Sequence, residues 1–343
     1  MTFNFVKTSL MVAAGLMIPT GAFAADCDRA CLEGMVDTYF KAVIDDNPGE
    51  APLASNVRFT ENGQHLPIGE GLWKSMKAAG RYRLFVTDVP AQVVTLLTTV
   101  VEDGRNPDTG LGAAMALRLK VVNGRITEIE QILVRSDATA KRIEALGKPR
   151  KALVAEVPKD ERMSRKDIIE TANKYFTGMA GNDGMGDYPF ADDCNRLENG
   201  MQTTNLPTPE GEKRPDPATS TIYSAQWSCL EQFKSGLLHF VTRIRDRRFV
   251  AVDQERGLTM AIDFFDHMAG STRTFKTPSG ETVTTGPTQP WTWFVAEVFK
   301  IRDHKIHQIE ALLTRPPYGM NSGWSSWEEG LSSEARDVTG VPE

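Results

Sequence analysis

The sequence lacks most of the marks that announce a function. Four cysteines in 343 residues are too few for a disulfide-dense miniprotein, and 39 basic against 45 acidic residues leave a formal charge of -6. That balance provides no general polyanion-binding surface and excludes nucleic acid as an expected partner. No glycine-rich phosphate loop, His-Glu-x-x-His helix, G-x-S-x-G elbow or C-x-x-C pair occurs, so the common signatures of nucleotide, zinc-protease, serine-hydrolase and dithiol chemistry are missing. Any chemistry is expected to run without a cofactor or metal. Past the N-terminus no apolar run approaches the ~20 residues of a membrane span.

What is present is ordinary globular composition, 41% apolar and 24% charged, enough for one large or two medium domains. Residues 1–24 read as a secretory leader: Lys7 supplies the positive end, 9–21 the apolar stretch, and Ala22-Phe23-Ala24 the cleavage box. The product is therefore expected to be secreted or periplasmic, with no membrane span after cleavage. In such a compartment Cys27, Cys31, Cys194 and Cys229 are expected to pair. Proximity favours Cys27 with Cys31 and Cys194 with Cys229, although four cysteines allow three connectivities.

The chain is written twice. Leu32, Met35, Val36, Tyr39, Phe40, Val43 and Ile44 form a helical apolar stripe, and Ile168, Ala172, Tyr175, Phe176 and Met179 draw it again. Arg58-Phe-Thr-Glu-Asn-Gly63 recurs as Arg196-Leu-Glu-Asn-Gly200, and Trp73-Lys-Ser75 is echoed by Trp227-Ser-Cys229. The closing segments match best, Lys120 to Arg135 against Lys300 to Arg315, each a strand, a two-residue turn and a second strand. The second copy is longer, with its excess at 202–221 and 271–290. The expected divisions are domain 1 at 25–135, a linker at 136–165, domain 2 at 166–330 and a tail at 331–343.

Helix, Glu-Asn-Gly turn, short helix and then long strands is an α+β order. The Tyr-Phe helix, the Glu-Asn-Gly turn and the Ile-x-x-Ile-Glu hairpin resemble the NTF2-like superfamily, in particular its SnoaL-like and ketosteroid isomerase-like cone folds. The resemblance implies two tandem domains, each a curved antiparallel sheet with helices on its concave face around an apolar pocket. The segment Arg315-Pro-Pro-Tyr-Gly-Met-Asn-Ser-Gly-Trp324, together with the duplication, is similar to a secreted tandem family known only as a domain of unknown function.

Polar and aromatic residues are unevenly shared: four of the five histidines and five of the six tryptophans lie in the second copy. Period-2 alternation puts Asp263 and His267 on one face of a strand and Trp291, Trp293 and Glu297 on one face of another. An imidazole beside a carboxylate, or a carboxyl in an aromatic row, suits acid–base work. His267, Asp263, Glu297 and Tyr175 are the catalytic candidates, and Glu198, Asn199, His239, Arg243, Trp291 and Trp293 the substrate-binding ones. Plainer roles stand beside each: a strand end for His267, a cross-strand pair of Glu297 with Arg243 or Arg245, a turn for Glu198-Asn199. The expected function is binding of a small, partly hydrophobic molecule in the domain 2 pocket, with proton transfer in an isomerase or a lyase such as a dehydratase. The competing readings are a non-catalytic binding protein and a scaffold in which the units form an intramolecular pseudo-dimer.

Overall fold

Each unit begins with an amphipathic helix that needs a sheet to cover its apolar stripe. In the computed structural model, which describes Met1 and residues 26–102, 111–269, 273–277 and 279–342, helix α1 (Arg29–Ile44) is capped by Asp28, whose carboxylate accepts from the Cys31 amide at 2.8 Å. It buries Leu32, Val36, Tyr39, Phe40 and Val43. Beyond Met1, the expected leader lies outside the described residues. After α1 come β1 (Leu53–Glu61), β2 (Gln64–His65), α2 (Leu72–Ser75), β3 (Met76–Asp88), β4 (Val93–Glu102), β5 (Leu111–Val122) and β6 (Arg125–Val134). Two short helices follow, α3 (Asp137–Ala145) and α4 (Lys151–Val154).

The second unit repeats the plan. Helix α5 (Arg165–Met179), capped by Ser164, buries Ile168, Ala172, Tyr175, Phe176 and Met179. Then come β7 (Phe190–Glu198), β8 (Met201–Gln202), α6 (Cys229–Lys234), β9 (Arg243–Asp253), β10 (Leu258–His267), β11 (Arg273–Lys276), β12 (Thr282–Thr285), β13 (Trp291–Arg302) and β14 (Lys305–Thr314). Helix α7 (Trp327–Leu331) and β15 (Ala335–Asp337) complete the order.

The first sheet runs β2-β1-β6-β5-β4-β3 and the second β15-β9-β10-β13-β14-β7-β8. Apart from the added β15, one order is the other read through the repeat. Both sheets are mixed, which corrects the expectation of purely antiparallel ones: β1 runs parallel to β6, and β7 to β14. The reason is that the strand after the opening helix docks beside the last strand of the closing hairpin, and both point the same way. Residues 237–242 are turn and loop between α6 and β9.

Alternation then assigns the faces. Ala261 and Phe265 of β10 and Val295 and Phe299 of β13 pack against α5, while α1 covers the corresponding face of the first sheet. The opposite faces meet each other: Leu84, Val86, Leu97, Ala116 and Ile132 share one cluster with Met260, Ile262, Phe264, Phe294 and Leu312. Both faces of the central strands are therefore dry. Between the sheets, Arg248 makes a two-fold contact with Glu130 at 2.7 and 3.0 Å, both side chains buried. Segment 315–342 straps across the units: the Trp324 indole N–H donates to Thr60 Oγ1 at 2.8 Å, and its ring lies 4.4 Å from the Arg58 guanidinium.

Two disulfides are formed, Cys27–Cys31 across the first turn of α1 and Cys194–Cys229 between β7 and α6. The second encloses the long loop that distinguishes the second copy. No helix among the described residues is long and apolar enough to cross a membrane.

Candidate functional site

The second unit contains a cavity of about 180 Å³ between α5 and its sheet. Trp293, Val295 and Glu297 come from β13, Phe265 from β10, Arg196 and Glu198 from β7, and Met179 from α5. The turn after α6 adds Leu238, Phe240 and Val241, Leu313 stands on β14, and Tyr223 comes down from the loop closed by Cys194–Cys229. The walls are mostly apolar, with four polar groups among them. The volume is below the ~300–1,000 Å³ of drug-sized sites, so a single-ring molecule is the scale that fits.

Glu297 is 1% exposed, and its Oε2 has no hydrogen-bond partner among the described residues. Burial holds its pKa well above the carboxylate range; Asp263 and Glu198 push the same way, against a smaller pull from Arg196 and the Tyr175 hydroxyl. Burial therefore favours its protonated form. Beside it Arg196, also buried, donates through Nε to Thr203 Oγ1 at 2.9 Å and through Nη2 to Tyr223 Oη at 2.6 Å and Gln232 Oε1 at 2.8 Å. Its Nη1 donates to Tyr175 Oη at 3.3 Å, and Glu198 Oε1 lies 3.2 Å from Nε. Burial raises both tyrosine pKa values, so the hydroxyls keep their protons.

Glu297, Glu198, Tyr175 and Trp293 are thus brought together, and other expected members are not. His267 is enclosed in a stack, its ring 3.4 Å from Trp291 and 5.8 Å from Phe240, with neither nitrogen bonded to a described residue. Burial pushes its pKa down to about 4. Asp263 is fully buried with both oxygens unpartnered, so it does not orient the imidazole. Four residues of extended strand separate the two by roughly 13 Å, too far for a hydrogen bond although both sit on one face. Burial raises the Asp263 pKa well above the usual range; it lies two residues from Glu297's cross-strand partner, Ala261.

Arg243 turns away from the cavity and shares Asp266 with Arg245, at 2.6 and 2.8 Å. Neither arginine pairs with Glu297. Trp291 lies between His267 and the Arg315 guanidinium, outside the cavity lining, and buried His239 is outside it too. Asn199 is a backbone brace: its amide donates to Leu313 O at 3.1 Å and accepts from Leu313 N at 2.9 Å. Asn62 does the same with Leu133 in the first unit. These two carboxamides hold a turn and are not available to a ligand.

Arg196, Tyr223 and Gln232 were not expected as site residues. Arg196 had a readable signal. In the first copy two residues, Phe59 and Thr60, separate Arg58 from Glu-Asn-Gly, whereas in the second Leu197 alone separates Arg196 from it, and one residue on a strand reverses the face. The registers confirm it: Arg196 stands opposite Ile309 as buried Phe59 stands opposite Ile129. With Lys120 set on Lys300, Glu297 falls on Leu117, Asp263 on Thr98 and Ala311 on Gln131. The second unit has put ionisable side chains where the first has Phe59, Leu117 and Thr98, and a small residue where the first has a large one. Tyr223 lies in a loop without a counterpart in the first copy, so alignment of the copies could not reveal it. Among the described residues no group of three or more His, Cys, Asp or Glu is placed to hold a metal ion.

No curated protein matches this chain. Among solved structures, AclR from Streptomyces galilaeus is similar over 39% of this chain and 92% of its own, at 10% identity and a TM-score of 0.23. The domain of unknown function DUF8021 matches residues 25–133 and 161–313, most of the sequence, and the chain belongs to that family.

Proposed function

We propose that this is an exported, tandem NTF2-like protein whose second unit binds a small, partly hydrophobic molecule and catalyses a cofactor-independent proton transfer, most simply a dehydration. The repeated helix-on-sheet plan supports the fold reading, and the shared apolar cluster supports a pseudo-dimer of the two units. The leader-like N-terminus and two disulfides support export.

One observation carries the functional reading: a buried Glu297, its pKa raised by burial, with an unpartnered oxygen in an apolar cavity, beside an Arg196–Glu198 pair. In a dehydration, the Glu198 carboxylate takes the proton from the carbon next to a carbonyl while Glu297 gives its proton to the departing hydroxyl. The C–H and C–O bonds break, the double bond forms, and water leaves. Proton exchange between the two carboxyls then restores the start. Arg196 and the tyrosine hydroxyls offset the negative charge that develops on the carbonyl side.

The test is 3-hydroxycyclohexanone, whose dehydration yields an enone that absorbs in the ultraviolet. The wild type is expected to melt at a higher temperature with the compound present and to form the enone. Glu297→Gln, nearly isosteric with the neutral acid, is expected to retain the melting shift and to lose ~10²–10⁴ of the rate. A melting shift without turnover in the wild type would assign a non-catalytic binding protein, the reading favoured by the aromatic lining. No shift would refute the site.

A further inference from the structure

Arg196 is a buried cation with five N–H donors and no acceptor. Four of those donors are taken up inside the protein, by Thr203, Tyr175, Tyr223 and Gln232, with Glu198 balancing the charge. Gln232 is itself locked, since its NH₂ group donates to Thr203 O at 2.7 Å and Ser224 O at 3.0 Å, which leaves its oxygen for Arg196. A hydroxyl that accepts from a guanidinium must aim its own proton elsewhere. Tyr223 Oη accepts from Arg196 at 2.6 Å, borders the cavity, and meets no acceptor among the described residues.

We propose that the cavity selects an uncharged ring molecule by an acceptor oxygen that takes the Tyr223 O–H proton, with Arg196 as the positioning residue that fixes the direction of that hydroxyl. The proposal rests on the binding reading above and narrows its ligand class. A carboxylate is disfavoured because Arg196 is already matched by Glu198, so the anion would lose its water without gaining a cation. An ammonium is disfavoured in the same way, since Glu198 is engaged and burial opposes a charge on Glu297.

The test compares three near-isosteric probes, acetophenone, benzoate and 1-phenylethylammonium, by calorimetry at neutral pH. Acetophenone is expected to bind at least tenfold tighter than either ion. Tyr223→Phe is expected to cost acetophenone three- to tenfold, the scale of one net hydrogen bond, and to leave the weak binding of the ions unchanged. Arg196→Lys keeps a charge but not the fork, and is expected to reduce the acetophenone-to-benzoate ratio severalfold, a readout that simple loosening of the fold would not move. If Arg196→Lys does not fold, Tyr223→Phe decides alone. Benzoate binding as tightly as acetophenone, or Tyr223→Phe binding like the wild type, would overturn the proposal while leaving a binding site in place. Failure of all three probes to bind the wild type would overturn both readings together.

Discussion

At the scale of single residues, the second unit stands out for ionisable groups that have been dried. His267 shows the effect with a definite sign. Its folded pKa of about 4 lies below the 6.5 of the free side chain, so the unfolded chain takes up a proton first as pH falls. The stability that depends on a neutral His267 is complete above pH 6.5 and is lost as pH drops toward 4, by on the order of 3 kcal/mol at about 1.4 kcal/mol per pKa unit. His267→Phe, which keeps an aromatic ring against Trp291, is expected to flatten urea-unfolding stability between pH 6.5 and 4. An equal acid dependence in the variant would mean that other groups cause it. Of the acid candidates, Glu297 was legible in the sequence because alternation alone sets it in the row of Trp293 and Val295. The Asp263–His267 couple was misread because sharing a face says nothing of the distance along the strand.

At the scale of elements, the Glu-Asn-Gly turn is the clearest case of one sequence doing one job twice. Asn62 and Asn199 both take left-handed backbone, with φ of 47° and 50°, and both brace the closing strand with a donated and an accepted hydrogen bond. Asn199→Ala removes both bonds and places a methyl side chain in that conformation, so it is expected to cost ~2–3 kcal/mol of unfolding free energy. Asn199→Gly loses the same bonds without the strain and is expected to cost ~1 kcal/mol less. Equal losses in the two variants would show that the turn carries no strain. The turn was legible because Asn-Gly chemistry is local. The face of Arg196 was legible in principle, through a spacing one residue shorter than in the first copy, but only a strand register turns that difference into a buried cation.

At the scale of the whole molecule, the two units are joined by the backs of their sheets. The Glu130–Arg248 pair sits within that dry contact. Removing one member leaves the other uncompensated, so Glu130→Gln is expected to cost ~3–5 kcal/mol, and the double change Glu130→Gln with Arg248→Met to recover a good part of it. Chemical denaturation of both variants checks this. A loss below ~1 kcal/mol for the single change would mean that Arg118, 3.9 Å from Glu130, and other neighbours re-pair the site. The same contact explains why β10 is buried on both faces: one covers α5's core and the other covers a sheet from the first unit.

The sequence by itself determined what depends on near neighbours: the helical stripes, the hairpin turns, the duplication and the α+β order. Tertiary structure decided the parallel docking of β1 on β6 and β7 on β14, the burial of the sheet backs, and the separation of His267 from the cavity. It also brought Tyr223 from an inserted loop to Arg196. These depend on which distant strands become neighbours, and burial then sets the protonation of Glu297 and Asp263, because the cost of a charge depends on how much water its surroundings exclude. A repeat can be read from one chain, but the solvent around a side chain is a property of the assembled molecule.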